Sequence, residues 1–283
     1  YPEIRELRLV DFKVRILDIL DPQVHGSARK TPEWTKQHLK SGFAEFIRGD
    51  VNNPRTVEAA VKGVDAIFHE AAVVGVGQSM YQIQYYSRNN MQGTSVLLDV
   101  LANKKHKVRK LLVASSMSIY GEGAYRCGAD LHGESSRRPG SGAVRDGQCG
   151  EVHPQLRTND QLARREWEMS CPKCGKAVEA EPTPESKPCF STSVYAISKK
   201  VQEEMCLCVG RAYGIPTVAL RYFNAIGPRQ ALSNPYTGVA AIFLSRAKND
   251  HPPVVYEDGK QTRDFVSVHD VAEACRLAVV RDA

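Results

Sequence analysis

Ser-Thr-Ser-Val-Tyr-Ala-Ile-Ser-Lys-Lys, residues 191–200, is the stretch around which the rest of the chain is organised. It places Tyr195 four residues before Lys199, so on a helix the two side chains lie on one face, one turn apart. The three hydroxyl residues at its start are good N-caps, and Val201, Met205 and Val209 continue an apolar stripe at helical spacing. The stretch therefore predicts a helix that carries a Tyr-Lys pair.

A phenol beside an ammonium group can act as a base near neutral pH if its pKa falls far enough. The reference pKa of tyrosine is near 10, so reaching ~7 requires about 4 kcal/mol. Helical neighbours in water supply only ~0.5 kcal/mol. We therefore expect Tyr195 to lie in a dry pocket near a second positive charge, such as an oxidised nicotinamide ring. The pattern alone is weak evidence, because Tyr256 and Lys260 repeat it across a stretch that favours a turn.

The composition is typical of a soluble globular protein, since the 283 residues are 42% hydrophobic and 25% charged. No run approaches the ~18 apolar residues of a membrane span and no signal peptide is visible, so we expect a cytoplasmic protein without membrane contact. The net charge of +6 comes from scattered Lys and Arg, which we interpret as solvated surface and not as a nucleic-acid site. Eight cysteines in such a chain argue against a disulfide framework.

Strand-like and helix-like segments alternate along the chain, which predicts a doubly wound α/β fold with a parallel sheet. One long helix is expected from about residue 81 to 103. The apolar strands lack period-two alternation, as strands covered on both faces do. Ligands bind such a sheet at the carboxyl ends of its strands. Five residues fall at predicted strand ends: Asp18, Asp50, Ala71, Ser116 and Asn224.

Each of these positions also has a purely structural interpretation. Asp18 could accept hydrogen bonds from an adenosine ribose, or could cap a turn before Pro22. Asp50 could meet an adenine edge or cap a turn. The hydroxyls of Ser-Ser-Met-Ser, residues 115–118, could hold a sugar hydroxyl or form a turn.

Taken together, an ordered series of motifs resembles the extended short-chain dehydrogenases, the nucleotide-sugar epimerase and dehydratase family. The series runs from about Val14 to the last residue. Its members are Leu-Asp (17–18), Gly-Asp-Val (49–51), His-Glu-Ala-Ala (69–72), Asn-Asn-Met-Gln-Gly-Thr (89–94), Ser-Ser-Met-Ser-Ile-Tyr-Gly (115–121), Tyr195-x-x-x-Lys199, Arg-Tyr-Phe-Asn-Ala-Ile-Gly-Pro-Arg (221–229) and Asp-Gly-Lys-Gln-Thr-Arg-Asp-Phe-Val (258–266). Residues 232–241 are most similar to the dTDP-L-rhamnose 4-epimerase branch of the family.

The resemblance implies a role for each matching residue. Tyr195 would be the base and acid, Lys199 would bind the nicotinamide ribose and lower the pKa of Tyr195, and Ser116 with Ser118 would hold the sugar hydroxyl. The residues implied in NAD binding are Asp18, Asp50, Val51, Ala71, Ala72, Asn89, Tyr195, Lys199 and Tyr222. Asn224 and Arg263 would hold the substrate's diphosphate, which suits the guanidinium fork; the alternative is a surface Arg263 paired with Asp264.

The chain departs from the family at its beginning. The family starts with a strand and Gly-x-x-Gly-x-x-Gly, whose amides hold the pyrophosphate. Here the first glycine is Gly26, beyond the strand that should follow that loop. We therefore expect the first strand and its glycine-rich loop to be missing from a fragment of a longer enzyme, and to be encoded upstream of Tyr1.

The second departure is an insertion at 122–190. It contains Cys171-Pro-Lys-Cys174-Gly, which is half of a zinc knuckle, and Cys149-Gly and Cys127 before it. We expect Cys127, Cys149, Cys171 and Cys174 to bind a structural zinc, with Cys189, His132 and His153 as reserve ligands; the alternative is a set of reduced thiols in a loop. The predicted domains are an NAD-binding part at 1–121, the zinc-ribbon-like insertion at 122–190, and the catalytic helix with a partial substrate lobe at 191–283.

The predicted function is NAD-dependent C4 epimerisation of a nucleotide sugar, with a dTDP-6-deoxyhexose as substrate, through a transient 4-keto intermediate. The prediction includes a homodimer. A 4,6-dehydratase is the alternative within the family, but it commonly needs an Asp-Glu pair where Met117 and Ser118 stand. A non-catalytic fragment and a zinc-ribbon nucleic-acid-binding protein are the other hypotheses, and the latter leaves the serine and Tyr-Lys motifs unexplained.

Overall fold

The computed structural model describes residues 13–27, 30–128, 149–230, 236 and 238–281, apart from the side chain of residue 34. The chain forms two compact units. The first unit comprises Tyr1–Ser116, Ser193–Pro252 and Asp264–Ala283, and the second comprises Met117–Thr192 and Pro253–Arg263. The second unit thus includes a segment that our sequence-based division assigns to the third domain. Within the described residues, none of the helices has the length and apolarity needed to cross a membrane.

Strands and helices follow one another along most of the first unit. In chain order the elements are β1 (Val14–Asp18), α1 (Pro22–His25), α2 (Glu33–Lys40), β2 (Ala44–Arg48), α3 (Pro54–Val61), β3 (Ala66–His69), α4 (Val76–Ser79), α5 (Ile83–Tyr86), a π-helical turn (Ser87–Gln92), α6 (Gly93–Asn103), β4 (Lys110–Ser116), a 3-10 turn (Met117–Tyr120), β5 (Ala124–Cys127), β6 (Gly150–Val152), α7 (Asn159–Ala163), β7 (Glu179–Glu181), α8 (Val194–Tyr213), β8 (Thr217–Tyr222), β9 (Asn224–Ile226), α9 (Val239–Lys248), β10 (Phe265–Ser267) and α10 (Val268–Val280).

The strands of the first unit pair only in parallel, as the sequence predicts. β4 lies between β3 and β8, β1 pairs with β2, and β9 pairs with β10. All seven residues of β4 are buried, which explains its continuous apolar run. Among the described strands, β1 pairs only with β2 and β3 only with β4, so one edge of each remains open. The unit therefore has the parallel α/β architecture of a Rossmann-like fold.

The largest hydrophobic core of the first unit lies where helices α3, α6 and α8 pack on β4. Its buried members are Val57, Val61, Leu97, Leu98, Val100, Leu101, Val108, Leu111, Val113, Cys206 and Ile215. Helix α8 spans 20 residues, begins after Ser193, whose hydroxyl accepts from the amide of Ala196, and ends at Gly214 with φ +66°. A left-handed residue is cheapest for glycine, so the helix is fixed at both ends as its sequence predicts.

The expected single helix over 81–103 is wrong in its middle. The structure has α5 and α6 separated by the π-helical turn Ser87–Gln92. A π-turn adds a residue to one helical turn and changes which side chains face inward, and such turns are frequent at functional sites. The turn leaves Asn90 fully buried while Asn89 stays half-buried.

The second unit contains a small antiparallel sheet in which β5 pairs with both β6 and β7. The two ends of the insertion meet near Gly121, where an added Cβ would lie 2.2 Å from the carbonyl oxygen of Phe190. With φ +69° as well, this position requires glycine. Buried Lys187 donates to the carbonyl oxygen of Tyr120 at 2.7 Å. These contacts join the last residues of the insertion to the 3-10 turn that follows β4.

Candidate active site

Helix α8 presents the predicted Tyr-Lys pair to the interior of the first unit. Tyr195 is 9% exposed and Lys199 is 2% exposed. The phenol bonds to the side chain of Ser116 at the end of β4, and its ring packs edge-on against Tyr86 with centroids 6.3 Å apart. The structure thus brings Tyr195, Lys199 and Ser116 into one unit, at the carboxyl edge of the β3–β4–β8 sheet.

Burial raises the pKa of Tyr195, and its bond to Ser116 offsets only part of that effect. A phenol in this environment keeps its proton at neutral pH. The dry pocket that we expect is therefore present, but the pocket alone works against ionisation. The Tyr195 hydroxyl needs a further positive charge before it can act as a base.

The ammonium group of Lys199 has its hydrogen-bond partner on the same helix, one turn further along. Lys199 Nζ donates to Oε1 of Gln202 at 2.8 Å. Burial lowers the pKa of Lys199 to about 8, although the carboxylate of Glu70 acts in the opposite direction. The sequence predicts that Lys199 is near Tyr195, but it does not predict this partner.

A buried polar network surrounds Gln202 on the side away from Lys199. Gln202 Nε2 donates to Thr94 Oγ1 at 2.8 Å and to the carbonyl oxygen of Ala71 at 3.4 Å. His69 Nε2 lies 2.8 Å from Thr94 Oγ1. Burial and the charge of Lys199 lower the pKa of His69 to about 3, so its imidazole is neutral at physiological pH. Sequence reasoning missed Gln202, although its position three residues after Lys199 on a buried helix is a usable signal.

Asn90 holds the chain after β3 against helix α8. Its Oδ1 accepts from the amide of Val73 at 2.7 Å, and its Nδ2 donates to the carbonyl oxygen of Val73 and to Ser198 Oγ. Ser198 Oγ in turn donates to the carbonyl oxygen of Tyr195 at 2.8 Å. Our prediction assigns cofactor binding to the neighbouring Asn89, whose amide donates to the carbonyl oxygen of Tyr85. Asn90 therefore positions this segment, and the cofactor-binding role of Asn89 stays a prediction.

The two predicted acidic residues lie at strand ends and also stabilise their own turns. Asp18 ends β1, and its Oδ1 accepts from the amide of Leu20 at 2.6 Å. The cap of the helix that begins at Pro22 is Asp21, not Asp18. Asp50 follows β2, accepts from Asn52 and pairs with Arg88 at 3.3 Å in an open depression of the surface. Both carboxylates therefore have local structural roles, and their contacts with a nucleotide stay a prediction.

The remaining predicted residues of the first unit have partners of their own. The Val51 side chain packs on the hydrophobic core and contacts the position of Gly93. Tyr222 Oη donates to Glu70 Oε1 at 2.9 Å and lies 2.9 Å from Cys275 Sγ.

Asn224 Nδ2 donates to the carbonyl oxygen of Asp264. Ala71 and Ala72 follow β3, where the carbonyl oxygen of Ala71 accepts from Gln202.

Ser118 and Arg263 belong to the second unit. Ser118 lies in the 3-10 turn directly after β4. Arg263 is exposed, and its Nη1 donates to the carbonyl oxygen of Thr262. The structure thus leaves the proposed roles of both residues as predictions.

The second unit brings the four predicted metal ligands together. The sulfur atoms of Cys127, Cys149, Cys171 and Cys174 all lie within 4.8 Å of one another. Cys127 ends β5 and is opposite Gly150 in the register of β6, so Cys149 is adjacent to it in the sheet. The amide of Lys173 donates to Cys171 Sγ at 3.4 Å. His153 pairs with Glu151, Cys189 is not in the cluster, and His132 lies outside the described residues.

The chain matches the profile of the NAD dependent epimerase/dehydratase family over residues 14–139 and 170–283. The chain belongs to this family. It is 31% identical over 271 residues to the dTDP-L-rhamnose 4-epimerase of Burkholderia thailandensis, covering 94% of this chain and 66% of that protein.

Solved structures of the family have the same fold. The UDP-N-acetylglucosamine 4-epimerase from Methanobrevibacter ruminantium superposes with a TM-score of 0.67 and 25% identity over 96% of this chain and 66% of that one. The UDP-glucose 4-epimerase of Thermus thermophilus, solved with NAD, superposes with a TM-score of 0.62 and 26% identity, over 95% of this chain and 67% of that one. The chain thus spans about two thirds of the length of these relatives.

The lowered pKa of Lys199 makes a pH-dependent contribution to stability. Between its folded pKa of about 8 and its ordinary value of 10.5, the unfolded chain binds a proton that the folded chain does not. Stability therefore rises with pH in this window by up to about 1.4 kcal/mol per pH unit. A Lys199→Met variant lacks this term, so its stability relative to the unmodified chain should fall as the pH is raised from 8 to 10 in urea titrations.

The matched control is Lys200→Met, because the neighbouring lysine extends toward solvent and pairs with Glu204. Its stability relative to the unmodified chain should stay constant over the same pH range. If the difference in unfolding free energy between Lys199→Met and the unmodified chain is also constant with pH, the ammonium group is not desolvated in the way that the structure indicates.

Proposed function

We propose that the full-length protein is an NAD-dependent epimerase that inverts C4 of a nucleotide-activated sugar, with a dTDP-6-deoxyhexose as substrate. The observation that carries the proposal is the buried Tyr195 phenol bonded to Ser116 at the end of β4, one helical turn from Lys199. Membership of the epimerase/dehydratase family supports the reaction class. The choice of sugar is supported by the similarity to the Burkholderia dTDP-L-rhamnose 4-epimerase.

The described residues fit two of the three parts of NAD. Asp18 and Asp50 at the ends of β1 and β2 suit the adenosine, and Lys199 and Tyr195 suit the nicotinamide ribose. The diphosphate would require backbone amides at a glycine-rich helix start. We propose that this loop follows a further parallel strand, which would pair with the edges of β1 and β3 that no described strand covers.

In the proposed reaction, bound NAD supplies the hydride acceptor for C4 and returns the hydride. Tyr195, as phenolate, takes the proton of the C4 hydroxyl and later gives it back. Ser116, together with Ser118, holds that hydroxyl so that its proton faces the Tyr195 oxygen. Lys199 holds the ribose and adds positive charge. Asn224 and Arg263 would bind the substrate's diphosphate, which leaves the sugar ring able to turn between the two hydride transfers.

The epimerase accounts for more of the sequence than the other hypotheses do. A 4,6-dehydratase needs an additional acid and base, and Met117 and Ser118 stand where an Asp-Glu pair commonly follows the serine motif. A nucleic-acid-binding protein would have no use for the buried Tyr195 and Lys199. We also propose a cytoplasmic location. The proposed domains remain 1–121, 122–190 and 191–283.

Tyr195→Phe in the full-length enzyme should lower kcat for C4 epimerisation by at least about 10²-fold, because it removes the group that transfers the proton. The Kd for the nucleotide sugar should change little, since one hydroxyl contributes little contact area. The measurements are turnover of dTDP-L-rhamnose, with other 4-epimerisable sugars in parallel, and calorimetric binding. The matched control is Tyr256→Phe, which alters the exposed tyrosine of the second Tyr-x-x-x-Lys pattern and should leave kcat unchanged. Unchanged turnover in Tyr195→Phe would mean that another group is the base.

We also propose that Cys127, Cys149, Cys171 and Cys174 bind one structural zinc ion. Four sulfurs at about 2.3 Å from a tetrahedral zinc lie about 3.8 Å apart. The observed sulfur–sulfur distances span that value: Cys127 Sγ lies 3.4 Å from Cys174 Sγ, and all four sulfurs lie within 4.8 Å of one another. A set of four thiolates leaves no open coordination position, so the role is structural.

Zinc should order the second unit, which has only a small core around Val152, Met169 and Val178. Cys171→Ser should abolish stoichiometric zinc in elemental analysis and speed proteolysis between Gly121 and Phe190. The first unit has its own core and should keep its helical circular dichroism. Cys208→Ser, at an exposed cysteine outside the cluster, is the control and should retain one zinc per chain. Absence of zinc from the reduced, unmodified protein would contradict the proposal.

The homodimer is proposed to form through helix α8. Ile197 is 48% exposed, and Val201 and Met205 follow it at helical spacing along a groove that Met91 also lines. Ile197→Glu should place a charge in this contact and produce a monomer in sedimentation experiments, with the circular dichroism spectrum unchanged. A substitution to glutamate at exposed Tyr213 on the far end of the helix is the control. A monomeric unmodified protein, or an Ile197→Glu dimer, would contradict this interface.

A further inference from the structure

We propose that Gln202 is a positioning residue that fixes the direction of the Lys199 ammonium group and keeps it charged. The proposal rests on the role of Lys199 in the proposed epimerase. Its basis is the direct bond of 2.8 Å from Lys199 Nζ to Gln202 Oε1, in a part of α8 where Gln202 has no exposed surface. Among the described residues, Gln202 is the side chain to which this ammonium donates.

The hydrogen bonds behind Gln202 favour one orientation of its amide, in which Nε2 also lies 3.3 Å from His69 Nε2. The hydroxyl proton of Thr94 goes to the carbonyl oxygen of Asn90 at 2.6 Å, so Thr94 Oγ1 can only accept from its other neighbours. Gln202 Nε2 at 2.8 Å and His69 Nε2 at 2.8 Å must then be the donors. The second proton of Gln202 Nε2 faces the carbonyl oxygen of Ala71 at 3.4 Å.

If the amide were reversed, Gln202 would turn its oxygen toward the Ala71 carbonyl and its NH₂ toward the ammonium of Lys199. Both contacts would then join groups of the same polarity. The arrangement therefore always offers an acceptor to Lys199. An ammonium group has three donors, and this acceptor uses one, which leaves two for the ribose side.

The electrostatic surroundings make the acceptor important. The titratable groups that face Lys199 are His69 and Glu70 at the end of β3 and Cys206 on α8, with Tyr195 one turn earlier. His69 is held neutral by burial, and burial opposes ionisation of Cys206. Glu70 therefore supplies the negative charge, and the Gln202 oxygen supplies the hydrogen-bond acceptor of the ammonium. A hydrogen bond to the charged form raises its population.

The test uses three variants of the full-length enzyme. Gln202→Met keeps the length of the side chain and removes the acceptor. Gln202→Glu restores an acceptor and adds charge. Gln37→Met, at an exposed glutamine of α2, is the matched control. The first readout is the acetylation of Lys199 by acetic anhydride as a function of pH, quantified by mass spectrometry of its peptide, because this reaction needs no catalytic turnover.

In Gln202→Met the midpoint of Lys199 acetylation should move to lower pH by about one unit, and in Gln202→Glu to higher pH by at least as much. The alkaline limb of kcat/KM should move in the same directions. Gln37→Met should change neither profile. A variant that lowers Tm but leaves both profiles in place would show that Gln202 is only structural and would overturn the proposal.

The two proposals fail in different ways. If the full-length protein does not epimerise nucleotide sugars while the acetylation midpoints move as expected, the proposed function is wrong and the positioning role stands. If the unmodified enzyme is active and the acetylation midpoint of Gln202→Met stays in place, the positioning role is wrong. Should Gln202→Glu not fold, Gln202→Met alone still decides the result.

Discussion

The charge of Lys199, buried against the end of β3, is the constraint on which the first unit depends. A charge removed from water needs an acceptor, or it neutralises itself by losing a proton. The fold supplies a neutral amide from Gln202 at 2.8 Å and not a carboxylate. The adjacent carboxylate, Glu203, turns the other way and pairs with Arg221 on β8 through two nitrogen atoms. The ammonium of Lys199 therefore has a neutral hydrogen-bond acceptor and not an ion pair, which suits the charge-supplying role proposed for it.

Local sequence rules predict most of the fold. Hydroxyl caps, Pro54 at a helix start and continuous apolar runs place the helix α8, the helix α3 and the strand β4. The strand ends then place Asp18 and Ser116, whereas Asn224, which we expected at a strand end, begins the short strand β9. These features depend on residues a few positions apart, where spacing determines geometry. The pairing of Tyr195 with Ser116 is also predictable, because both lie at positions that a parallel sheet brings to one edge.

The parts that could not be predicted depend on contacts between distant residues. Gln202 meets Thr94 across 108 residues and approaches His69 across 133, and no local pattern specifies which polar groups will share a buried space. The π-helical turn is a second case, because it places Asn90, and not Asn89, in the buried position. Helix propensity cannot distinguish Asn89 from Asn90. Only the packed environment, in which Asn90 satisfies both the amide and the carbonyl of Val73, makes that choice.

Tyr195 shows which part of the proposed chemistry the described residues do not supply. The pocket that excludes water from the phenol also raises its pKa, and the hydrogen bond from Ser116 does not reverse this. Lys199 adds positive charge one helical turn away, and its ammonium donates to the neutral amide of Gln202. In the proposed reaction, the positive charges of Lys199 and of the bound cofactor would together lower the pKa of Tyr195. Under the proposed function, the phenol of Tyr195 would keep its proton until a cationic cofactor lies beside it.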